Sequence, residues 1–366
     1  MIPPLPRWAD LVLVPLVNVT VAFIIAGLVV LAIGENPLEA VRILVKGSLG
    51  SSEGIGFTLY YATDFIFTGL CVALAFQAGL FNIGGEGQAY VAGLGAALVC
   101  LNFGTLPGFV LVPLGILGAA AAGALWAFIP GVLQAKRGSH IVITTIMFNW
   151  LATALLGYLL VNVMRPPSSM QPETRVFSPA AQVPKMADIF ASLGLKISAS
   201  PLNLSFVLAL AAAVGMWLLI YRTRLGFAIR TVGVNPEAAL YGGISPARIT
   251  MIAMALSGAL AGGLAVNELM GVQNRLLLEF TSGYGFVGIA VALMGRGHPA
   301  GVVLASLLFG MLYQGGAELA FDKPTITRDM IVVIQGLVVL FAGALEGLFR
   351  GQIAGVFALF AKKQEA

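Results

Sequence analysis

Long apolar runs alternate with short polar segments along most of this chain. A helix crosses the hydrocarbon core of a bilayer with about 20 apolar residues. Ten runs of roughly this kind predict transmembrane helices at Leu11–Ile33, Thr58–Gly79, Glu86–Phe103, Leu106–Val132, Ile141–Val163, Asn203–Tyr221, Ile249–Met270, Gly283–Gly295, Ala300–Leu319 and Met330–Phe349. The third and eighth are short and glycine-rich, which favours broken or re-entrant helices. The pattern therefore predicts an all-α, polytopic transmembrane bundle of about ten spans.

The composition supports a lipid environment. The 366 residues are 59% hydrophobic and 10% charged, whereas soluble domains carry about 25% charged residues. Too few charged groups are present to cover a water-facing surface of this size. The net charge of +4 includes no basic run longer than a pair, so it indicates loops near lipid headgroups and argues against nucleic-acid binding.

The sequence contains no motif that would let this chain hydrolyse ATP by itself. A phosphate-binding loop of the form G-x-x-x-x-G-K-[ST] is missing, so we expect no ATP hydrolysis by this chain. Cys71 and Cys100 lie in apolar runs and are predicted to be buried thiols. Two histidines, His140 and His298, are too few to build a metal site. We therefore predict no catalytic residue, no metal and no bound cofactor.

Two longer polar segments set the expected orientation. Residues 164–202 are rich in proline and serine, with a short amphipathic helix near Met186–Leu193, and residues 222–248 are polar and basic. If Arg7 is cytoplasmic, the positive-inside rule places both termini and residues 222–248 in the cytoplasm and residues 164–202 outside. The excess is small, about 11 basic residues inside against about 9 outside. The first apolar run is too long for a signal peptide and is predicted to be a retained span.

The segment Phe81-Asn82-Ile83-Gly84-Gly85-Glu86-Gly87-Gln88 joins the second and third runs. Each of its glycines costs a helix about 1 kcal/mol relative to alanine, which predicts a break. Broken backbone inside a membrane is tolerated only against protein or a wet cavity, and a carboxylate at that depth is typical of a pathway or a gate. The alternative is a turn at the cytoplasmic interface, with Asn82 as N-cap and Glu86 near a helix N-terminus.

Asn149 lies between Phe148 and Trp150. An amide beside aromatic rings can hydrogen-bond and stack with a planar polar ligand. The alternative for Asn149 is an interhelical hydrogen bond, worth about 0.6 kcal/mol on average. The same alternative applies to the other polar residues within apolar runs, which are Asp64, Asn267, Glu268 and Glu318. A further alternative for Glu268 and Glu318 is a position near a helix end in contact with water.

A second motif lies in the polar segment 222–248. Asn235 can cap a helix that has Pro236 at its first position and Glu237 beside its positive end, and Gly242 would stop that helix after Tyr241. So short a helix is unstable alone in water. It needs a partner surface, which favours docking of a cytoplasmic protein over a helix resting on the membrane.

These motifs resemble a known family. The stretch from Ala73 to Gln88, ending Gly-Gly-Glu-Gly-Gln, resembles the signature of the simple-sugar and nucleoside permeases of ABC importers that work with basic-membrane-protein-type binding lipoproteins. Gly233–Ala239 with Gly243-Ile244 resembles their coupling helix, and Gly297–Gly301 also fits. The likeness extends from Gly34 to Phe349. Ribose and branched-chain amino-acid permeases belong to the broader family.

The resemblance implies a single permease domain, residues 1–366, that carries nucleosides, or less readily sugars, across the bacterial inner membrane by alternating access. Its implied partners are a second homologous permease, a cytoplasmic ATPase that binds ATP and magnesium, and an extracytoplasmic lipoprotein. The implied substrate pathway contains Phe81, Asn82, Glu86, Gln88 and Asn149. The implied coupling residues are Arg230, Asn235, Pro236, Glu237, Ala238, Ala239 and Tyr241. The competing interpretation is an ion-coupled transporter or channel with Asp64 or Glu86 as coupling site.

Overall fold

The computed structural model describes residues 6, 9, 13–167, 169–195, 197–327, 330–338 and 340. Over these residues the regular structure is helical, apart from two isolated β-bridges. The helices are α1 Val14–Ala32, α2 Pro37–Leu49, α3 Ser52–Gln77, α4 Gly85–Asn102, α5 Gly108–Arg137, α6 Ile141–Leu159, α7 Met186–Ser192, α8 Ser205–Arg222, α9 Arg224–Val234, α10 Pro236–Tyr241, α11 Pro246–Ala265, α12 Tyr284–Met294 and α13 Pro299–Asp322. The π-helical turns Leu160–Met164 and Val266–Gln273 extend α6 and α11. The predicted all-α class is confirmed.

Six helical stretches in the described chain are long and apolar enough to cross a membrane: Ser52–Gln77, Gly108–Arg137, Ile141–Met164, Ser205–Arg222, Pro246–Gln273 and Pro299–Asp322. The bent pair formed by α1 and α2 would add a seventh. The third and eighth predicted runs correspond to α4 and the 11-residue α12, which are shorter or more polar. The tenth run is described only at residues 330–338 and 340, which are helical. Its remaining residues lie outside the described part of the chain, as do Arg7 and the C-terminal basic residues.

Helix α2 is an element that the apolar runs did not predict. The Asn36 side chain accepts a hydrogen bond from the Leu38 backbone N–H at 3.0 Å, and Pro37 occupies the first helical position. The helix buries Ala40, Leu44 and Ser48 on one face. Its sequence is amphipathic rather than uniformly apolar, so a search for 20-residue apolar segments misses it.

The described chain packs as two units, residues 55–310 and the residues before 55 and after 310. In the larger unit, α5 packs closely against α11. A Cβ added to Gly258 would lie 2.2 Å from the Gly123 carbonyl oxygen, so no side chain fits there. Small residues that let helix backbones approach are the usual interface between helices in lipid.

In the smaller unit, the end of α13 packs against α2. A Cβ added to Gly315 would lie 2.4 Å from the Leu44 carbonyl oxygen. The Lys323 amine lies 3.3 Å from a Glu35 carboxylate oxygen and 3.1 Å from one of Glu39. These contacts hold the end of α13 to α2 and to the turn that precedes it.

Candidate functional site

The first break in the bundle lies between α3 and α4. α3 ends at Gln77 and α4 begins at Gly85, with no helix in between. Yet the buried Asn82 side chain contacts Cys71 of α3, with 3.8 Å from its Nδ2 to Sγ, and donates to Ser257 Oγ at 2.8 Å. Cys71 lies well before the end of α3. The connecting segment therefore folds back along α3, and α4 begins inside the bundle.

The second break lies between α11 and α12. The π-helical extension of α11 ends at Gln273, and α12 starts at Tyr284 after a glycine with φ 78°. A Cβ added to Gly288 would lie 2.5 Å from Thr68 Cβ, and Gln77 Nε2 donates to the Gly297 carbonyl at 3.0 Å. α12 therefore runs parallel to the second half of α3 and, like α4, begins within the bundle.

The Glu86 carboxylate joins the two breaks. Its Oε1 accepts from the Gly283 backbone N–H at 3.1 Å and from the Thr281 hydroxyl, and its Oε2 accepts from the Gly285 N–H at 2.8 Å. Glu86 also lies in the first turn of α4. Each helix N-terminus carries a partial positive charge of roughly half an elementary unit. The carboxylate thus lies between two helix N-termini, which offsets part of the cost of burying it.

The two helices leave Glu86 in opposite directions. α3 and α11 are antiparallel, because Cys71 contacts Ser257 while Asp64 contacts Asn267 further along α11. α4 runs with α11, since Gln88 and Ser257 both contact the Cys71 thiol, and further along both helices a Cβ added to Gly93 would lie 3.0 Å from a Leu269 methyl. α12 runs with α3. α4 and α12 therefore start side by side within the bundle and diverge from Glu86.

The amides predicted for the pathway hold the first break together. Asn149 Oδ1 accepts from the Gly87 N–H at 2.9 Å, and its Nδ2 donates to the Ile83 carbonyl at 3.0 Å. Asn82 and Gln88 form a reciprocal amide pair, with both hydrogen bonds at 3.1 Å. The Gly87 N–H and the Ile83 carbonyl at the break thus have protein partners, as burial requires.

The structure confirms a break in this segment but corrects the predicted N-cap, because α4 is preceded by Gly84, with no side-chain cap, and not by Asn82. Asn82 Oδ1 accepts from the Gly84 N–H at 2.8 Å, so it caps a turn, but this turn lies inside the bundle rather than at its edge. Phe81 differs from the other four predicted pathway residues because it is exposed, and its ring stacks on Phe76 with centroids 5.3 Å apart.

A second buried polar network was only partly anticipated. The Tyr60 hydroxyl donates to Glu268 Oε1, and Gln273 Nε2 donates to Glu268 Oε2 at 2.9 Å. Asn267 Nδ2 donates to Asp64 Oδ1 at 3.0 Å, and Asn267 Oδ1 accepts from Asn203 Nδ2 at 2.9 Å. The sequence indicated Asp64, Asn267 and Glu268 as interhelical partners. It missed Tyr60, although Tyr60 and Asp64 are four residues apart and share one face of α3.

The predicted cap and short helix are present in the polar segment 222–248. Asn235 Oδ1 accepts from the Ala238 N–H at 3.0 Å, and α10 spans Pro236–Tyr241. Most of the predicted coupling residues are exposed, and Tyr241 is 96% exposed. Two differ: Ala239 is fully buried, and the half-buried Arg230 guanidinium stacks over Tyr221 at 5.4 Å from the ring centroid.

A polytopic helical bundle with two discontinuous helices that meet near its middle is typical of a membrane transport protein. Residues 54–343 match the family described as branched-chain amino acid transport system / permease component. The chain therefore belongs to this family of permease components and is a multi-pass membrane protein.

Several relatives align over most of this chain. It is 35% identical to the glucose ABC transporter permease protein TsgB13 of Haloferax volcanii over 89% of this chain and 86% of that protein. It is 35% identical to the guanosine ABC transporter permease protein NupP of Bacillus subtilis, over 91% and 93%. It is 34% identical to the nucleoside ABC transporter permease protein NupB of Lactococcus lactis, over 90% of each. The predicted resemblance to ABC importer permeases is confirmed.

Bacillus subtilis and Lactococcus lactis each contain a second permease that is similar to this chain. NupQ of Bacillus subtilis is 32% identical and NupC of Lactococcus lactis is 29% identical, each over 69% of this chain and 78% of the relative. The curated nucleoside permeases related to this chain thus occur in pairs.

Proposed function

We propose that this chain is one permease subunit of an ATP-driven importer that carries nucleosides by alternating access. The observation that carries the proposal is the junction at Glu86, where α4 and α12 begin inside the bundle and diverge. Alternating access needs an element that can open on one side while the other stays closed. Because the hydrogen bonds of Glu86 join the two half-helices directly, their rearrangement would loosen the contact between α4 and α12.

A neutral nucleoside matches the side chains around the first break. It needs hydrogen-bond donors and acceptors and a stacking surface rather than a fixed counter-charge. The amides of Asn82, Gln88 and Asn149 supply both kinds of group, and Phe81 supplies an exposed ring. In the described conformation these amides bond to one another and to the backbone, so substrate binding would exchange these internal bonds for bonds to the nucleoside. Relatives named for guanosine and nucleoside transport favour this class over sugars.

The paired relatives support a second permease as partner, and the exposed helix α10 supports a cytoplasmic one. We propose a heterodimer with a second permease and a cytoplasmic ATPase, which holds ATP and magnesium and docks on α10. A substrate-binding lipoprotein would deliver substrate on the opposite face. In this arrangement the chain is a single permease domain in the bacterial inner membrane with both termini in the cytoplasm. Residues 222–248 lie in the cytoplasm and residues 164–202 lie outside.

The test is uptake of radiolabelled guanosine by proteoliposomes that contain the co-purified complex. We expect uptake to require ATP and magnesium, to stop on chelation of magnesium, and to be competed by nucleosides but not by glucose. Uptake driven by a proton gradient without the ATPase would overturn the proposal in favour of an ion-coupled transporter. Competition by glucose alone would overturn the substrate class and leave the importer mechanism standing.

A further inference from the structure

A cavity of about 430 Å³ lies where the ends of α3, α9 and α12 meet. Residues from all three ends line it, among them Gln77, Arg230, Val234, Leu293, Arg296 and Gly297. We call it the two-arginine pocket. Val234 is 87% exposed and directly precedes Asn235, the cap of α10. The pocket is therefore continuous with the surface that the proposed function assigns to the ATPase.

The charge of the pocket has one sign. Arg230 and Arg296 contribute two guanidinium groups, and no carboxylate occurs among the described residues that line it. Arg230 Nε is buried and has no hydrogen-bond partner within the described chain. A buried donor without a partner costs free energy, more so for a charged group. A carboxylate that enters the pocket would meet the positive charge of two arginine side chains, and arginine forks match carboxylates well.

A series of contacts also links the pocket to the Glu86 junction. Gln77 Nε2 holds the Gly297 carbonyl at 3.0 Å, so the end of α3 is tied to the turn after α12. A Cβ added to Gly233 would lie 2.2 Å from the Gln77 carbonyl oxygen, so α9 packs on the same point. From this turn, the 11 residues of α12 reach back to Gly285, which donates to Glu86. A displacement of the pocket residues would therefore be passed along α12, which is roughly 16 Å long.

We propose that the two-arginine pocket receives a carboxylate side chain of the partner ATPase, as a second docking point beside α10. The inference rests on the proposed function. The exposed apolar surfaces of Val234 and Leu293 at its rim would cover an apolar neighbour of that carboxylate, as at the centre of a binding hot spot. α10 would then give affinity, while the pocket transmits motion along α12 to the Glu86 junction.

A photo-cross-linker tests the occupant. Benzoylphenylalanine replaces Leu293 in the purified complex in nanodiscs, and a second sample carries it at Tyr241 on α10. The proposal expects the Leu293 probe to capture an ATPase peptide that contains Asp or Glu. A phospholipid adduct or no adduct at Leu293, with ATPase captured at Tyr241, would overturn the inference and leave α10 docking intact. Failure of both probes to capture ATPase would overturn the proposed function as well.

Charge reversal tests the contact itself. We expect Arg230→Glu to weaken ATPase binding to the permease at least tenfold at low salt, and reversal of the captured ATPase carboxylate to arginine to restore it. Arg222→Glu is the matched control, because Arg222 also stacks on an aromatic ring, 5.2 Å from Trp217, but does not line the pocket. Equal losses in the two variants, or a loss in Arg230→Glu that the reversed carboxylate does not restore, would overturn the proposal.

Discussion

The Glu86 side chain stabilises the broken helices of this membrane protein. An isolated carboxylate at this depth is costly, but Glu86 receives the Thr281 hydroxyl and two backbone N–H groups of the α12 N-terminus. Each of these donors also needs a partner, because backbone N–H groups at a helix start have none within the helix. The carboxylate and the helix start therefore stabilise each other. At the residue scale Glu86 holds the junction together, and Asn149 does the same for the backbone before α4.

We predict that Glu86→Gln loosens the junction without preventing membrane insertion. The amide has one acceptor oxygen and no charge, so at least one of the Gly283 and Gly285 N–H groups loses its partner, at a cost of about 1–3 kcal/mol. Amide hydrogen exchange at residues 283–285 should accelerate at least tenfold, and uptake should fall. Glu279→Gln is the control, since Glu279 is exposed and lies on the same connecting segment. Unchanged exchange in Glu86→Gln would show that the carboxylate does not hold α12.

At the scale of elements, short sequence patterns predicted where helices begin, end and break. Contacts between residues far apart in the sequence could not be predicted. Asn235, Pro236 and Gly242 specify α10 within a few residues, so its bounds follow from the sequence. The glycines after Ile83 likewise indicate the first break. The partners of Glu86 lie almost 200 residues away in sequence, and no local pattern connects them. Helix α2 was not predicted because its apolar residues lie on one face and do not form a continuous run. The capping residue Asn36 followed by Pro37 is a signal that could have located its start.

We predict that the junction tolerates a methyl group on one glycine and not on another. A Cβ on Gly285 would lie 2.4 Å from the Glu86 backbone nitrogen, whereas the nearest atom to a Cβ on Gly85 is 3.4 Å away. Gly285→Ala must therefore push α12 away from α4, and overpacking of this kind costs about 1–3 kcal/mol. We expect uptake to fall at least tenfold in Gly285→Ala and less than twofold in Gly85→Ala. Equal activity of the two variants would contradict the close approach.

We predict that the cap of α10 controls coupling to ATP hydrolysis. Asn235→Ala removes the acceptor for the Ala238 N–H, and loss of an N-cap costs about 1 kcal/mol. For a helix of six residues this is enough to unfold it. Uptake per ATP hydrolysed should fall several-fold, while the amount of protein in the membrane stays constant. Asn235→Ser keeps a capping oxygen and should retain coupling. A serine variant as defective as the alanine variant would assign Asn235 a contact with the partner instead.

At the scale of the whole molecule, the proposed route of force runs through the larger unit, residues 55–310. It begins at α10 and the two-arginine pocket, follows α12, and ends at Glu86, from which α4 runs in the direction opposite to α12. Each step is a described contact, and none needs a long flexible segment. The direction of this route depends on one topological assignment, that α10 faces the cytoplasm.

Cysteine labelling tests that assignment, and the native chain is well suited to it. Cys71 and Cys100 are buried, at 0% and 1% exposure, so both should react slowly and leave a low background. A membrane-impermeant maleimide should label Asp188→Cys, in the polar segment 164–202, on intact cells. It should label Tyr241→Cys only after the membrane is opened, because residues 222–248 are predicted to be cytoplasmic. Labelling of Tyr241→Cys on intact cells would place α10 outside, beyond the reach of any ATPase, and the coupling proposal would fail with it.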